Sequence, residues 1–471
     1  MTPAGASSPA PWRSQLRSQL LAGGDETIVA RATADGRSAL AVIRVTGARA
    51  IEIARALGAS ALVPRRATRV RLRHPVSGRT LDDALVTAFV APHSYTGEDL
   101  VEFSTHGGRV APALVTAACV AAGAREALPG EFTRRAVLNG KLDVLQAEAI
   151  ADLVDARTVA MQQQALAQLD GGLSRRVQSL RDDVLQVEAL LAYDIDFPEE
   201  DDGPIAPARI TAAATTLLEA IDALLATAPR AAQLRDGALV VIAGPPNAGK
   251  SSLFNAVLGE SRALVTEIAG TTRDAIDALL DRAPIPLRFV DTAGLRETDD
   301  RLERLGIEVS ARYLATADVV LACGAHDDEV RHAVEAVSPS TTATILPVRT
   351  KSDNRPDSAP RVAGWCYTSA NSGDGLTALL EAIDHAVAAH GGSLTDATDQ
   401  IMLTRERHQR ALRDAHIEMA HFLEGWRSGA LPATVAAVHL HAARDALSSL
   451  IGAIGTDDIL DRVFASFCVG K

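Results

Sequence analysis

Cysteine, aromatic side chains and positive charge are what this sequence has least of. Only 4 cysteines occur in 471 residues, Cys119, Cys323, Cys366 and Cys468, with no CxxC pair among them. That usage argues against a disulfide framework and against a zinc site of the usual spacing, and it leads us to expect a reducing, cytoplasmic setting. Aromatics make up 3% of the chain, a composition that favours Ala- and Leu-rich helices. The 47 Lys and Arg fall short of the 59 Asp and Glu, for a net charge of -12. A protein that coats nucleic acid through nonspecific phosphate contacts needs the opposite balance, although a local basic patch stays open. We see no apolar run approaching the length of a membrane span, and expect no membrane partner. Residues 1–24, MTPAGASSPAPWRSQLRSQLLAGG, lack the apolar stretch of a signal peptide and read as a disordered leader.

What is present is enough apolar residue, 47%, for more than one core, and the length favours two or three domains. Residues 25–142 read as a small α/β domain. TIVARAT and GRSALAVIRVTG are strand-like around a Gly turn, a helix follows from Ala48 to Leu57, and VRLRHPV, ALVTAFV and LVEFSTH are further strands before an Ala-rich helix near Pro112 to Ala122. Residues 143–236 change to Ala, Leu, Gln and Asp at helical spacing, read as two long helices and a third from Pro207 to Ala226. Residues 237–392 alternate strands with helices (ALVVIAG, LRFVDTAG, DVVLACG, TATILPVRT, WCYTSA), the sign of a parallel sheet with crossover helices. Helical composition returns in 393–471, near Arg405 to Glu424, Ala433 to Leu450 and Thr456 to Phe464, before a terminal SFCVGK. The α/β domain therefore reads as an insert between two halves of a helical domain.

The insert carries a phosphate-binding loop. Gly244-Pro245-Pro246-Asn247-Ala248-Gly249-Lys250-Ser251-Ser252 follows an apolar strand and opens a helix, the context such a loop requires. Glycines let backbone N–H groups approach phosphates, the helix N-terminus favours negative charge, Lys250 reaches the β and γ phosphates, and Ser251 ligates Mg2+. Thr266-Glu267-Ile268-Ala269-Gly270-Thr271-Thr272 can place a hydroxyl on the same ion, through Thr272. Asp291-Thr292-Ala293-Gly294 ends a strand with a carboxylate and a Gly N–H suited to sensing the γ phosphate. Thr350-Lys351-Ser352-Asp353 and Ser369-Ala370-Asn371 each follow a strand and supply the base reader. A carboxylate at Asp353 accepts from both N1–H and the exocyclic amine of guanine, whereas adenine offers an acceptor at N1, so GTP is the expected nucleotide. Two positions depart from this pattern. Thr350 stands where such GTPases usually have Asn, which leads us to expect weaker or less selective binding. Leu295 follows the DTAG motif where many signalling GTPases have Gln, and it cannot orient water.

Outside the nucleotide site, PHSYTGEDLVEFSTHGG, LPGEFTRRAVLNGKLDVLQAEAIADLVDA, DIDFPEE, TEIAGTTRD, DTAGLRETDDRLERLGIE and SFCVGK resemble the tRNA modification GTPase MnmE (TrmE) family along nearly the whole chain from Asp25. The resemblance implies a multidomain protein: an N-terminal α/β tetrahydrofolate-binding-like domain, a discontinuous helical domain, and an inserted Ras-like α/β P-loop GTPase domain. It implies a homodimer through the N-terminal domains and a heterotetramer with the FAD protein MnmG. That complex adds an aminomethyl or carboxymethylaminomethyl group at C5 of the wobble uridine of certain tRNAs, with a one-carbon unit from a 5,10-methylene or 5-formyl tetrahydrofolate. Hydrolysis in the family is potassium-dependent. The positions matching its K+ site are Asn247, Thr266, Ile268 and Thr271, and Glu303 matches the acidic residue that positions the attacking water through a second water. Arg44, Glu102, Lys141 and Lys471 match folate contacts, and Cys468 the near-terminal Cys with a role in modification.

Read without the family, Glu303 is a solvated carboxylate in a first helical turn, the four folate positions are ordinary surface or paired charges, and a buried inert thiol at Cys468 is as reasonable as a functional one. Gly36-Arg37-Ser38-Ala39-Leu40-Ala41 departs from a glycine-rich family loop, replacing backbone freedom with side chains. TVAAVHLHAARDALSS departs from a more acidic family helix. A ribosome-assembly or RNA-binding switch GTPase, and a scaffold without modification activity, are the alternatives. The acidic net charge leads us to expect much of the tRNA surface on the partner.

Overall fold

The computed structural model describes residues 26–196, 206–260, 276–282, 285–291, 312–355, 360–391, 402–429, 432–452 and 470. The chain forms two compact units, one running to Glu148 and joined by the residues from Gly452 onward, the other Ala149–Ile451.

The first unit is built on a six-stranded sheet of β1 (Ile28–Arg31), β2 (Leu40–Thr46), β3 (Thr68–Arg73), β4 (Thr80–Phe89), β5 (Leu100–His106) and β6 (Arg125–Glu126), in the order β3-β4-β5-β2-β1-β6. All neighbours are antiparallel except β1 and β6. Along β2 the buried Ala41, Ile43 and Val45 alternate with less buried residues, the period of a strand with one face on a core. Helices α1 (Ala50–Ala56) and α2 (Val110–Ala121) cover that face, packing Ile53, Val115 and Cys119 against Val45, Val101 and Phe103. On the other face Phe132 of α3 (Glu131–Leu138) packs with Ile28 and Ala30. Glu131 is buried beside it. Its carboxylate accepts from Arg125 at 2.8 and 3.0 Å, from Arg135 at 3.1 Å and from the Leu128 N–H at 2.9 Å, the number of donors a buried charge needs.

The region read as two long helices is three: α4 (Val144–Asp155), α5 (Val159–Leu169) and α6 (Gly172–Asp196). Thr158 caps α5 by accepting from the Met161 N–H at 3.2 Å, and Gly171 at φ 81° makes the next turn. A capping hydroxyl inside a helical composition was the overlooked stop signal. Then come α7 (Pro207–Leu225) and α8 (Ala228–Asp236). Contrary to the sequence reading, Pro207–Asp236 contains an 18-residue stretch long and apolar enough to cross a membrane, with a mean hydropathy of 1.4. It breaks at Ala226-Thr227 and buries Ile210, Ala214, Leu217, Ile221 and Leu224 along one side, the stripe of a helix facing a core.

The inserted domain has a sheet of β7 (Ala238–Ala243), β8 (Ile276–Leu280), β9 (Leu287–Asp291), β10 (Val319–Gly324), β11 (Thr344–Arg349) and β12 (Cys366–Tyr367), ordered β12-β11-β10-β7-β9-β8. Five strands are parallel and β8 is antiparallel to β9. β8 was not foreseen. Every residue of β10 is buried, as expected of a parallel strand covered on both faces. One face packs on α9 (Lys250–Glu260) and α11 (Leu376–Gly391) through Leu253, Val257, Leu379 and Ile383, and the other on α10 (Asp327–Val337) through Ala333 and Val337. The chain returns to helix in α12 (Glu406–Ser428) and α13 (Ala433–Ile451). The helix expected over Thr456 to Phe464 lies outside the described residues.

Candidate active site

The site stands at the C-terminal edge of the β7-β10-β11 sheet, where strands end and loops begin. β7 delivers the chain into Gly244, whose φ is 149° and where a Cβ would come within 2.2 Å of the Cys323 carbonyl oxygen. Only glycine fits both the torsion and the neighbouring strand. Asn247 at φ 62° and Gly249 at φ 82° complete the turn, and α9 begins at Lys250. Lys250 Nζ lies 3.0 Å from the Gly244 carbonyl oxygen and 2.8 Å from that of Pro245, donating across the loop. A cation in that position, with a helix N-terminus behind the loop, makes the concavity a phosphate cradle.

Ser251 Oγ donates to Asp291 Oδ2 at 2.7 Å. Asp291 is the last residue of β9 and fully buried. A hydroxyl and a carboxylate converging at the mouth of a phosphate loop are the oxygen donors that Mg2+ takes beside phosphate and water, so these residues fit that ion.

The opposite wall joins the loop to the base-reading segments. Thr350 is buried, and its Oγ1 lies 2.5 Å from the Ala248 carbonyl oxygen and 3.0 Å from that of Gly324. The hydroxyl that stands in place of the usual Asn thus supplies a donor to the phosphate loop. Lys351, at φ 51°, donates from Nζ to the Asn247 carbonyl oxygen at 3.0 Å. The Ser352 N–H donates to the Thr368 carbonyl oxygen at 3.0 Å, bringing the two base-reading loops side by side. Asn371 Nδ2 faces Asp353 Oδ2 at 3.4 Å. The Asp353 carboxyl is held below its ordinary value, first by its hydrogen bond with Ser369 and then by Asn371 and Lys351. Gly375, at φ 76° with room for no Cβ against the Tyr367 carbonyl oxygen at 1.9 Å, closes the Ser369-Ala370-Asn371 turn onto β12.

An open cavity of about 1090 Å³ is lined by Asn247, Gly249 to Ser252 and Lys351, with Glu329 and His332 of α10, and hydrogen bonds tie its lining to Asp291 through Ser251 and to the base-reading loops through Lys351 and Thr350. Gly375 is a site residue that the sequence reading lacks, although a glycine after the base-reading Ser369-Ala370-Asn371 was the available signal. Thr266, Glu267, Ile268, Ala269, Gly270, Thr271, Thr272, Thr292, Ala293, Gly294, Leu295, Glu303, Cys468 and Lys471 lie outside the described residues.

In the first unit, Arg44 and Glu102 are register partners on β2 and β5. Their side chains form an ion pair at 2.8 Å, each 26% exposed, and the guanidinium sits 5.6 Å from the Tyr95 ring centroid. Lys141 Nζ donates to the Pro92 carbonyl oxygen at 3.2 Å. The departing loop is accommodated opposite: Ser38 donates its N–H to the Gly107 carbonyl oxygen at 2.8 Å, and a Cβ at Gly107 would meet Ser38 Oγ at 2.2 Å.

Comparison with known proteins agrees with this arrangement. A family model described as the MnmE helical domain matches residues 144–468, and one described as the GTP-binding protein TrmE N-terminus matches residues 27–141. The chain is 41% identical over 458 residues to the tRNA modification GTPase MnmE of Azoarcus sp. (strain BH72), covering 95% of this chain and 98% of that protein. It is 42% identical over 455 residues to that of Methylorubrum populi, covering 95% and 98%, and 38% identical over 469 residues to that of Moorella thermoacetica, covering 95% and 100%. Among solved structures, the G domain of the T. maritima FeoB iron transporter aligns with 33% of this chain and 98% of that one, at 20% identity and a TM-score of 0.25, a likeness that adds nothing to the assignment. With one family model spanning well over half its length and relatives 38 to 42% identical along 95% of it, the chain belongs to the tRNA modification GTPase MnmE family.

Proposed function

We propose that this protein is a GTP hydrolase acting in tRNA modification. The observation that carries the reading is the convergence of Lys250, Ser251 and Asp291 at a phosphate loop tied through Thr350 and Lys351 to the Asp353 and Asn371 base reader. Lys250 neutralises the β and γ phosphates, and backbone N–H groups from Asn247 to Ser252 hold them in line. Ser251, Thr272 and Asp291 would hold Mg2+, which would offset the charge developing on the phosphates. Asp353, ionised throughout the neutral range, accepts from the guanine edge, while Lys351 spans from the base side to the Asn247 carbonyl.

Further steps rest on family membership. In this reading K+ is bound at Asn247, Thr266, Ile268 and Thr271, and Glu303 positions the attacking water in place of the Gln that Leu295 displaces. Arg44, Glu102, Lys141 and Lys471 bind the tetrahydrofolate derivative. Glu102 Oε2 has no hydrogen-bond partner among the described residues while Oε1 is held by Arg44, so the carboxylate retains an acceptor for the donor edge of a pterin. The protein works in the cytoplasm as a homodimer joined through its N-terminal domains, in a heterotetramer with MnmG. Together they add the aminomethyl or carboxymethylaminomethyl group at C5 of the wobble uridine, with Cys468 contributing.

Two measurements test this. GTP hydrolysis is expected to be faster in K+ than in Na+, and Glu303→Ala to abolish most of it with GTP binding retained; equal rates in both salts count against the potassium site. Mass spectrometry of tRNA nucleosides is expected to show the wobble modification lost on deletion of the gene. An unchanged wobble uridine removes the modification role and leaves a switch GTPase.

A further inference from the structure

We propose that Glu418, His421 and His439 form a binding site for one divalent transition-metal ion of the zinc type, tying α12 to α13. Each of the three offers one ligand atom, and these atoms all lie within 4.8 Å of one another. The site is remote in sequence from every residue assigned to GTP or folate.

The helices are joined by the short connection 429–432, with Gly429 at φ 62° ending α12, so they pack as neighbours. Their seam is apolar, with Met419, Phe422 and Leu423 on one helix and Ala436, Leu440 and Ala443 on the other. Glu418 and His421 each immediately precede a seam residue, as does His439, so the three side chains line the seam's margin. Glu418 and His421 are three positions apart and share a helix face. His439 Nδ1 lies 2.6 Å from Glu418 Oε2, and the His421 and His439 rings meet edge to face, centroids 5.6 Å apart at 68°. A carboxylate and one imidazole explain an ion pair. The second imidazole at the same point adds a third donor that the pair does not use. His441, two residues on, turns away to Glu188.

Two imidazoles and a carboxylate suit Zn2+, Co2+, Ni2+ or Cu2+, whereas Mg2+ and Ca2+ take oxygen donors. Tetrahedral bonds of about 2.0–2.1 Å place donors roughly 3.4 Å apart. The Nδ1–Oε2 pair opens to that spacing and the wider separations close to it by side-chain rotation. Three protein ligands leave one coordination position for water. These histidines belong partly to the segment TVAAVHLHAARDALSS, whose departure from an acidic helix the nucleotide and folate sites leave unexplained.

The test is calorimetric titration of Zn2+ alone into the metal-stripped, nucleotide-free full chain with Mg2+ in excess, repeated with Co2+ and read by its visible absorption. The expected result is one saturable equivalent, weakened at least ~10-fold by His421→Ala and by His439→Ala and unchanged by His441→Ala. Zn2+ also raises the melting temperature of the parent protein and not that of His421→Ala. His421 is exposed, so its removal spares the fold. Absence of a saturable equivalent, or one undiminished in His421→Ala, overturns the proposal.

Discussion

The Thr350 hydroxyl lies 2.5 Å from the carbonyl oxygen of Ala248, joining the base-reading strand end to the phosphate loop across 102 residues of sequence. Thr350→Val keeps the shape and removes the donor, leaving the buried Ala248 acceptor short of a partner, a loss of about 1–3 kcal/mol. GDP is expected to bind roughly tenfold more weakly or worse, read by displacement of a fluorescent nucleotide, while Thr350→Ser retains most of the affinity. Equal affinity in the valine variant would show that the hydroxyl tie does not support the site.

Two glycines separate torsion and space from mere glycine content. Gly244→Ala forces a Cβ to within 2.2 Å of a strand carbonyl at φ 149°, so the nucleotide-binding unit loses ~2 kcal/mol or more and nucleotide affinity with it. Gly259 lies inside α9, and a Cβ there would meet nothing within 4 Å, so substitution by alanine gains up to about 1 kcal/mol. Thermal melting of the two variants should move in opposite directions.

Glu131 makes the first unit acid-sensitive. Burial opposes its charge, but Arg125, the Leu128 N–H and Arg135 together outweigh burial and hold the carboxyl below its ordinary value. A depressed folded pKa contributes stability that is present above the unfolded value, near ~4.3, and is lost as pH falls through the folded one. Glu131→Gln costs about 1–3 kcal/mol at neutral pH, since Arg125 keeps Glu26 and Arg135 keeps Glu98 but both lose the buried carboxylate, and it flattens the loss of stability below pH ~4. Melting curves across that range, followed by a probe in the first unit, check both.

Burial pushes the Cys119 and Cys323 thiols up to about 12, leaving almost no thiolate at neutral pH. Mass spectrometry after brief iodoacetamide treatment of the native protein should find both unmodified and find them modified after denaturation. Native alkylation at Cys323 would mean that β10 opens beneath the phosphate loop.

The P-loop was legible because its signal is local: an apolar strand, a glycine turn and a helix start within a few residues. The helices α7, α12 and α13 were legible by periodicity, within a few residues at their ends. What escaped depends on partners far along the chain. β6 is two residues long and exists because β1 offers it a parallel edge. β8 owes its place to β9. Thr350 looked like a lesser substitute for Asn because its acceptors, Ala248 and Gly324, are assembled only by the sheet. Glu131 gave no sign of being buried, since its burial is set by two arginines and a loop N–H. The break at Thr158 had a local signal in its capping hydroxyl, hidden by the helical composition on both sides.

Gly470 carries a consequence for how the protein is made. A Cβ there would come within 2.2 Å of the Arg31 carbonyl oxygen, so the end of β1 is closely approached by a residue translated roughly 440 positions later, about 20–90 s at ordinary elongation speeds. During synthesis the end of β1 lacks this neighbour while everything between is built. Nascent chains stalled before that residue should therefore occupy chaperones longer than released ones.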